Sequence, residues 1–331
     1  MSVCEYTLDG SINISGLDGL SIYNIAFNSL GNIAVLSTYE DSYIYILDKV
    51  SDIWVTRADK ILLSNISSLA ISNDGTVITA GNAGFNSNRG RVYVYKYSGG
   101  SWSLRANLDP TYAVLNNSYF GSTLSAINED GSVIVAGSSS IRTTAYPDFY
   151  GDVFTYVWNG STYTGTPLTT NYSFYNAFGN ALWMNSDNSL LLVARSSTVI
   201  SESGIGSNYI SLYDRVSGNW VLRYSISTPW LDVSAVTLNS TSTTLAYLTY
   251  AYEDPVDYYG TISFCEIELT GYTNYDQKII AVDLDTWFNR PVSFDAEANL
   301  YVLSDTVLKF TCGATEFWTE EDQCVEVTYE Y

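Results

Sequence analysis

The chain has 331 residues, with 14 Lys+Arg against 35 Asp+Glu, a net charge of −21 and no histidine. So few cations cannot neutralise a phosphate track, which argues against bulk nucleic-acid binding and against anionic membrane surfaces. The absent histidine removes Ser-His-Asp and Cys-His nucleophile sites, histidine general bases and imidazole zinc sites. Hydrophobic residues make up 46% of the chain, enough for a large core and too many for disorder. No run of about 18 apolar residues marks a membrane helix. Met1 to Tyr6 carries neither a basic nor an apolar leader segment, so no export signal is expected there.

One pattern recurs along the chain: an alternating apolar run, an Asn/Asp/Gly turn, a short apolar run, a variable loop, a second alternating strand, a tight turn and an aromatic. Cys4 to Leu8 precedes the first copy and reads as a strand left over from a preceding unit. The first copy turns at Ser29-Leu30-Gly31-Asn32 and continues with Tyr43 to Leu47 and Trp54. The second runs from Leu69 through Asn73-Asp74-Gly75 to Gly81, then Gly90 to Tyr97, Gly99-Gly100 and Trp102. The third runs from Leu124 through Glu129-Asp130-Gly131 to Gly137, then Gly151 to Trp158, Asn159-Gly160 and Tyr163. The fourth holds Ala181 to Ala194 around Asp187-Asn188, then Tyr209 to Tyr213 and Ser217-Gly218-Asn219-Trp220. Weaker copies span about Val233 to Ile280 and Val292 to Trp318.

The turn anchors Gly31, Gly75, Gly131 and Asn188 are separated by 44, 56 and 57 residues, as expected where one loop per unit varies and the strands do not. Asp-Gly and Gly-Gly between alternating runs are hairpin signals, because such turns need positive φ. Four short strands, here a to d, repeated at this period predict an all-β chain: a single β-propeller of about six four-stranded antiparallel blades, with seven still open. The expected blades are approximately 19–60, 66–108, 120–168, 178–226, 233–280 and 292–331. A strand from 1–12 is expected to close the ring in the last blade, with Val325 to Tyr329 as its competitor.

Phe120-Gly121 and Phe178-Gly179 at strand starts, Ala80-Gly81-Asn82 and Ala136-Gly137-Ser138, and Val92 to Tyr95 followed by Trp102 together resemble the FG-GAP repeat of integrin α-type β-propellers. The likeness covers roughly 68–226. It implies a propeller and no particular activity. Integrin-type repeats often carry a calcium loop with aspartates at alternate positions. In Asn73-Asp74-Gly75-Thr76-Val77 and Glu129-Asp130-Gly131-Ser132-Val133 the flanking acids are missing, and calcium needs six to eight oxygens. Asp283 and Asp285 are a similarly weak pair. No metal and no cofactor is expected.

In an a-b-c-d blade the a–b and c–d turns share one side, and the b–c and d–a connections share the other. The a–b and c–d turns here are nearly all tight. The b–c loops Gly81 to Gly90, Ser138 to Tyr150, Ser196 to Asn208 and Tyr250 to Tyr259 are long and unlike one another, and the d–a link Asp109 to Tyr119 joins them. Binding concentrates on loops held by a rigid scaffold. Two loops combine tyrosines with acids, giving Tyr146, Asp148, Phe149 and Tyr150, then Tyr252, Glu253, Asp254, Tyr258 and Tyr259, as candidate contacts for a protein partner or glycan. The plainer reading is that these tyrosines pack the loops onto the rim.

The cysteines are Cys4, Cys265, Cys312 and Cys324, with no CxxC spacing. A local Cys312–Cys324 bridge is the first choice and a Cys4–Cys312 bridge between chain ends the alternative, with reduced buried thiols as the plainer reading. Sequons stand at Asn13, Asn65, Asn116, Asn159, Asn171 and Asn239, as chance supplies in a chain this rich in Asn, Ser and Thr. The Ser72-Asn73-Asp74-Gly75 stretch is not a sialidase Asp-box, since its glycine comes one place early. The composition therefore leads to an expectation of a non-enzymatic, acidic structural or binding protein. The favoured setting is a virus particle, as a capsid decoration, spike or tail attachment protein contacting other virion or surface proteins, a host glycan or a receptor. The alternatives are a secreted or cell-surface adhesion module, and a propeller glycoside hydrolase using Asp/Glu.

Overall fold

The computed structural model describes residues 5–11, 13–17, 20–51, 53–123, 126–138, 140–141, 151–168, 176–197, 208–228, 232–238, 244–254, 257–266, 277–282, 292–294, 300–303 and 307–313. The chain opens with β1 (Glu5–Ser11) and the short β2 (Asn13–Ser15). Blade 1 is β3 (Ile22–Phe27), β4 (Ile33–Thr38), β5 (Tyr43–Val50) and β6 (Ile53–Leu62). Blade 2 is β7 (Ser68–Ile71), β8 (Val77–Asn82), β9 (Arg91–Ser98) and β10 (Ser101–Leu108). Blade 3 is β11 (Ala126–Ile127), β12 (Val133–Ser138), β13 (Asp152–Trp158) and β14 (Tyr163–Pro167). Blade 4 is β15 (Asn176–Met184), β16 (Leu190–Ser197), β17 (Asn208–Val216) and β18 (Asn219–Thr228). Blade 5 is β19 (Asp232–Leu238), β20 (Thr244–Asp254), β21 (Asp257–Glu266) and β22 (Gln277–Val282). The last blade holds β23 (Val292–Phe294), β24 (Leu300–Leu303) and β25 (Val307–Gly313).

Each first strand neighbours the first strand of the next blade, β3 to β7, β11, β15, β19, β23 and back to β3, so six sheets form a closed ring. β1 supplies the fourth strand of the last blade, antiparallel to β25 with Tyr6 opposite Cys312 and Leu8 opposite Phe310. The ring closure expected from the sequence is therefore present; residues 314–331, with the competing Val325 to Tyr329 segment, lie outside the described residues. One strand was not anticipated. β2 lies parallel to β6, with Ile14 opposite Trp54, and makes blade 1 five-stranded.

The core sits between blades rather than within them. Val35, Ile44 and Ile46 of blade 1 pack with Leu69, Ile78 and Ala80 of blade 2. Val92, Val94 and Phe120 pack with Ile134 and Phe154, Val135 and Val153 with Leu182 and Val193, and Leu192, Ile210 and Leu212 with Val236 and Leu245. At the closing seam Phe27 of blade 1 stacks on Tyr301 of the last blade at 4.6 Å and meets Trp54 edge-on at 5.2 Å. The second strands β4, β8 and β12 are buried along nearly their whole length because both their faces are covered.

Four a–b turns repeat one design. Asn28, Ser72, Asn128 and Asn185 open it. In each the first residue's amide donates to the carbonyl five residues on, and the amide three residues on (Gly31, Gly75, Gly131, Asn188) donates back to its carbonyl. The opening side chain accepts the amide of the fifth residue on: Ile33 at 3.0 Å, Val77 at 2.9 Å, Val133 at 2.9 Å and Leu190 at 2.9 Å. The fourth position sits at φ between 53° and 71°, hence Gly or Asn. The turns also join around the ring: Asn28 Nδ2 donates to the Asn73 carbonyl at 2.9 Å, the Asp74 amide to the Glu129 carbonyl at 2.9 Å, and the Glu129 amide to the Ser186 carbonyl at 2.7 Å.

Removal of residues 1–11 should lower the melting temperature by about 10 °C or more in scanning calorimetry, since it strips a whole strand from the last blade; an unchanged transition would show that β1 does not close the ring. Asn128→Ala leaves the buried Val133 amide without its acceptor, so a loss of about 2 kcal/mol is expected by urea unfolding. Asn107→Ala, at an exposed position of an outer strand, is expected to cost less than about 0.5 kcal/mol.

Candidate partner-binding face

The two sides of the ring differ in construction. On the turn side the final c-strand residues donate to the a–b turns: Lys49 to Asn32, Tyr97 to Thr76, Trp158 to Ser132 and Arg215 to Ser189. Asp74 Oδ1 accepts the Thr76 amide, Asp130 Oδ1 the Ser132 amide and Asp187 Oδ1 the Ser189 amide, each at 2.9 Å. Those contacts hold the Asp130 carboxyl below the usual range against an opposing burial effect. The aspartates thus cap their own turns. Among the described residues, no group of three His, Cys, Asp or Glu is placed to hold a metal ion.

The opposite side carries the b–c loops and d–a links, and each described one is built differently. In blade 1, Asp41 gathers the short Thr38–Tyr43 connection. Its Oδ1 accepts Thr38 Oγ1 at 3.0 Å and the Tyr43 amide at 3.2 Å, and Tyr45 OH donates to Oδ2. Those bonds hold the Asp41 carboxyl low in spite of desolvation, while the hydrogen bond to Asp41, aided by burial, pushes the Tyr45 phenol up to about 12. Lys60 lies 3.7 Å from the Tyr43 ring centroid. Beside them Tyr23 and Tyr39 stand edge to face at 4.7 Å, and the exposed Glu40 accepts the Ser21 amide at 2.9 Å.

In blade 2 the b–c loop is knitted to the following d–a link. Asn86, Ser87 and Asn88 are consecutive left-handed residues that turn the carbonyls of Ser87 and Asn88 toward the amides of Asn117 and Tyr119. Asn88 Nδ2 donates to Asn117 Oδ1 at 2.9 Å and Arg89 Nε to Asn116 Oδ1 at 3.1 Å. Arg91 forks onto Asp109 at 2.8 and 2.7 Å and lies over Phe85. In blade 3 the buried Asp152 accepts the Tyr112 hydroxyl, and Tyr156 OH donates to the Asp109 carbonyl at 2.6 Å. No sequence signal marked Tyr112 and Asp152, which lie 40 residues apart.

The Phe-Gly pairs now have a structural reason. Gly90 bridges Phe120, and a Cβ at Gly90 would lie 2.0 Å from the Phe120 carbonyl oxygen; at Gly151 it would lie 1.7 Å from that of Phe178. In blades 2 and 3 the glycine just before the c strand lets the next blade's Phe-Gly entry pack flush against it.

Of the sequence-derived candidates, Tyr146, Asp148, Phe149 and Tyr150 lie outside the described residues, as do Cys4, Cys324, Asp283 and Asp285. The expected loop from Tyr250 to Tyr259 is corrected: β20 and β21 extend into a long hairpin with Ala251 opposite Tyr259, Tyr252 opposite Tyr258 and Asp254 opposite Asp257. Tyrosine's strand preference outweighs the loop signal of the acids and Pro255. Glu253 sits at the register shift between Tyr252 and Asp254. Cys312 lies in β25, and Cys265 in β21 opposite Leu245. The sequence missed Tyr23, Tyr39 and Leu62, which come from three separate segments. Among the described residues no helix is long and apolar enough to cross a membrane.

No protein-family profile matches the sequence, and no curated protein does. Solved structures do. The β-propeller domain of Cps50 (Swd1) from Myceliophteria thermophila is similar over 92% of this chain and 99% of its own, with a TM-score of 0.52 and 12% identity. The chain is a β-propeller. At that identity the likeness concerns the fold alone, and the propeller assignment holds without an FG-GAP family match.

Burial pushes the Tyr163 and Tyr213 phenols up to about 12, and burial together with Asp109 and Asp152 raises Tyr156 well above its ordinary value. These groups are neutral in the folded state. The stability they contribute is complete below the unfolded tyrosine pKa of about 10 and is lost as pH rises toward 12. After a jump to about pH 11.5, between those two values, absorbance at 295 nm should show exposed tyrosines ionising at once and a buried set ionising only as circular dichroism decays. One single fast phase would contradict these assignments.

Proposed function

We propose that this propeller is a non-enzymatic binding scaffold that presents its b–c and d–a face to a protein or glycan partner as a component of a virus particle, of FG-GAP-like descent. The carrying observation is the asymmetry between its sides. On the turn side four a–b turns share one design and are hydrogen-bonded to one another around the ring. On the other side the connections differ from blade to blade in length and chemistry. A scaffold of this kind allows one side to change while the ring stays fixed.

The composition supports display rather than chemistry. The 29 tyrosines and the absence of histidine suit an interaction surface. The particle setting rests on the low-lysine, Tyr/Ser/Thr/Asn-rich composition.

Mass spectrometry of purified particles tests the setting: the chain should appear at a fixed stoichiometry, and its absence sinks the virion assignment in favour of a secreted or cell-surface adhesion module. Tyr252→Ser with Tyr258→Ser should weaken capture of the particle partner by about tenfold with little change in melting temperature. Reproducible glycan hydrolysis, abolished by replacing one loop carboxylate, would overturn the non-enzymatic reading.

A further inference from the structure

Large apolar side chains exposed among the described residues fall mostly on outer strands and turn-side hairpins, such as Leu104, Val157, Val216 and Leu222. On the loop side the described residues include three, Tyr23 at 41%, Tyr39 at 66% and Leu62 at 69% exposure, and all three belong to blade 1. They come from the start of β3, the b–c connection and the end of β6. Tyr23 and Tyr39 meet, the Tyr39 amide donating to the Ser21 carbonyl, while Leu62 stands on the same rim at the end of β6, opposite Tyr43. Glu40 and Asp41 follow Tyr39 directly. The amide and hydroxyl donors described above keep both carboxyls below their usual range despite desolvation.

Resting on the protein-partner reading above, we infer that this rim of blade 1 is a docking site for a basic peptide segment of the partner, with an arginine or lysine seated against the Tyr23–Tyr39 pair and the Glu40 carboxylate. Three observations select that occupant. A ring as exposed as Tyr39 keeps a face open to solvent, and an aromatic face attracts a cation. The same cluster already uses that chemistry internally, with Lys60 over Tyr43 at 3.7 Å and over Tyr45 at 5.2 Å. The chain as a whole carries −21, a field that speeds the approach of a basic partner and repels an acidic one.

The test is fluorescence anisotropy with the full chain and a labelled (Arg-Gly-Gly)3 peptide, against the same peptide with citrulline for arginine, which keeps shape and removes charge. The arginine peptide should bind about tenfold or more tightly than the citrulline one. Tyr23→Ser with Tyr39→Ser, which leaves the net charge unchanged, should cost about tenfold, and Tyr39→Phe should restore most of a Tyr39→Ser loss. Glu40→Gln should weaken binding, whereas Glu129→Gln on the turn side removes the same charge and should change it less than about twofold.

Equal binding of the two peptides, an unaffected Tyr23/Tyr39 double variant of normal melting temperature, or equal effects of Glu40→Gln and Glu129→Gln would each overturn the site in favour of diffuse charge attraction. Binding of a neutral glycan that the double variant abolishes would overturn the basic occupant. Loop-face capture of the particle partner that persists in the double variant would sink this inference and leave the proposed function standing.

Discussion

The second strands of the first three blades, β4, β8 and β12, are covered on both faces, and the covering comes from the neighbouring blades. Val35 turns toward blade 2 while Ala34 and Leu36, one residue either side, turn toward the last blade. Burial of one such aliphatic side chain contributes roughly 1.5–3 kcal/mol, and nearly all of that depends on a second sheet being present. A single blade would expose two apolar faces, so stability belongs to the closed ring. This explains why the aromatic residues Phe27, Trp54 and Tyr301 gather at the seam between last and first blades, and why β1, first in sequence, pairs with β25, the last strand described. The first and last described strands are joined where the ring would otherwise open.

A ring built this way needs each blade to meet the next at a fixed distance, and two devices set it. On the turn side the Asn- or Ser-cornered turns satisfy their own amides and then bond to the next turn. On the loop side a glycine with no Cβ lets the Phe-Gly entry of the next blade lie against its backbone. The Phe120 ring then fills the gap beside Phe154 at 5.6 Å. Both devices use backbone groups and small residues at strand ends, so the connections between them can differ from blade to blade.

The parts legible in the sequence are those encoded within a few residues. The turn at Ser72 to Val77 needs a polar opener, a residue tolerant of positive φ and an apolar end, all within six positions, so its repetition marks the strands it joins. The parts that were not legible depend on partners distant in the chain. β2 is three residues long and is a strand only because Ile53 to Val55 offers an open edge. The Tyr250 to Tyr259 stretch reads as a loop by its acids and proline, yet the ladder begun at Thr244 opposite Glu266 runs on through it. Tyr23, Tyr39 and Leu62 looked unremarkable singly, each being one aromatic or aliphatic residue at a strand end; their meaning is spatial.

The distribution of charge completes the contrast between the sides. Turn-side acids such as Asp74, Asp130 and Asp187 face their own backbone amides, and Asp48, Asp109 and Asp214 are forked by Arg57, Arg91 and Arg223. Three of the chain's 14 basic residues are thus committed to pairs that hold adjacent strands. The remaining carboxylates keep their field. Two copies of such a protein repel each other at long range, so self-association through the loop face works against the net charge, while a basic partner gains from it before contact is made. Salt weakens that attraction over a Debye length of about 8 Å at physiological ionic strength; the tyrosine contacts, being short-ranged, then decide which of the arriving basic segments stays.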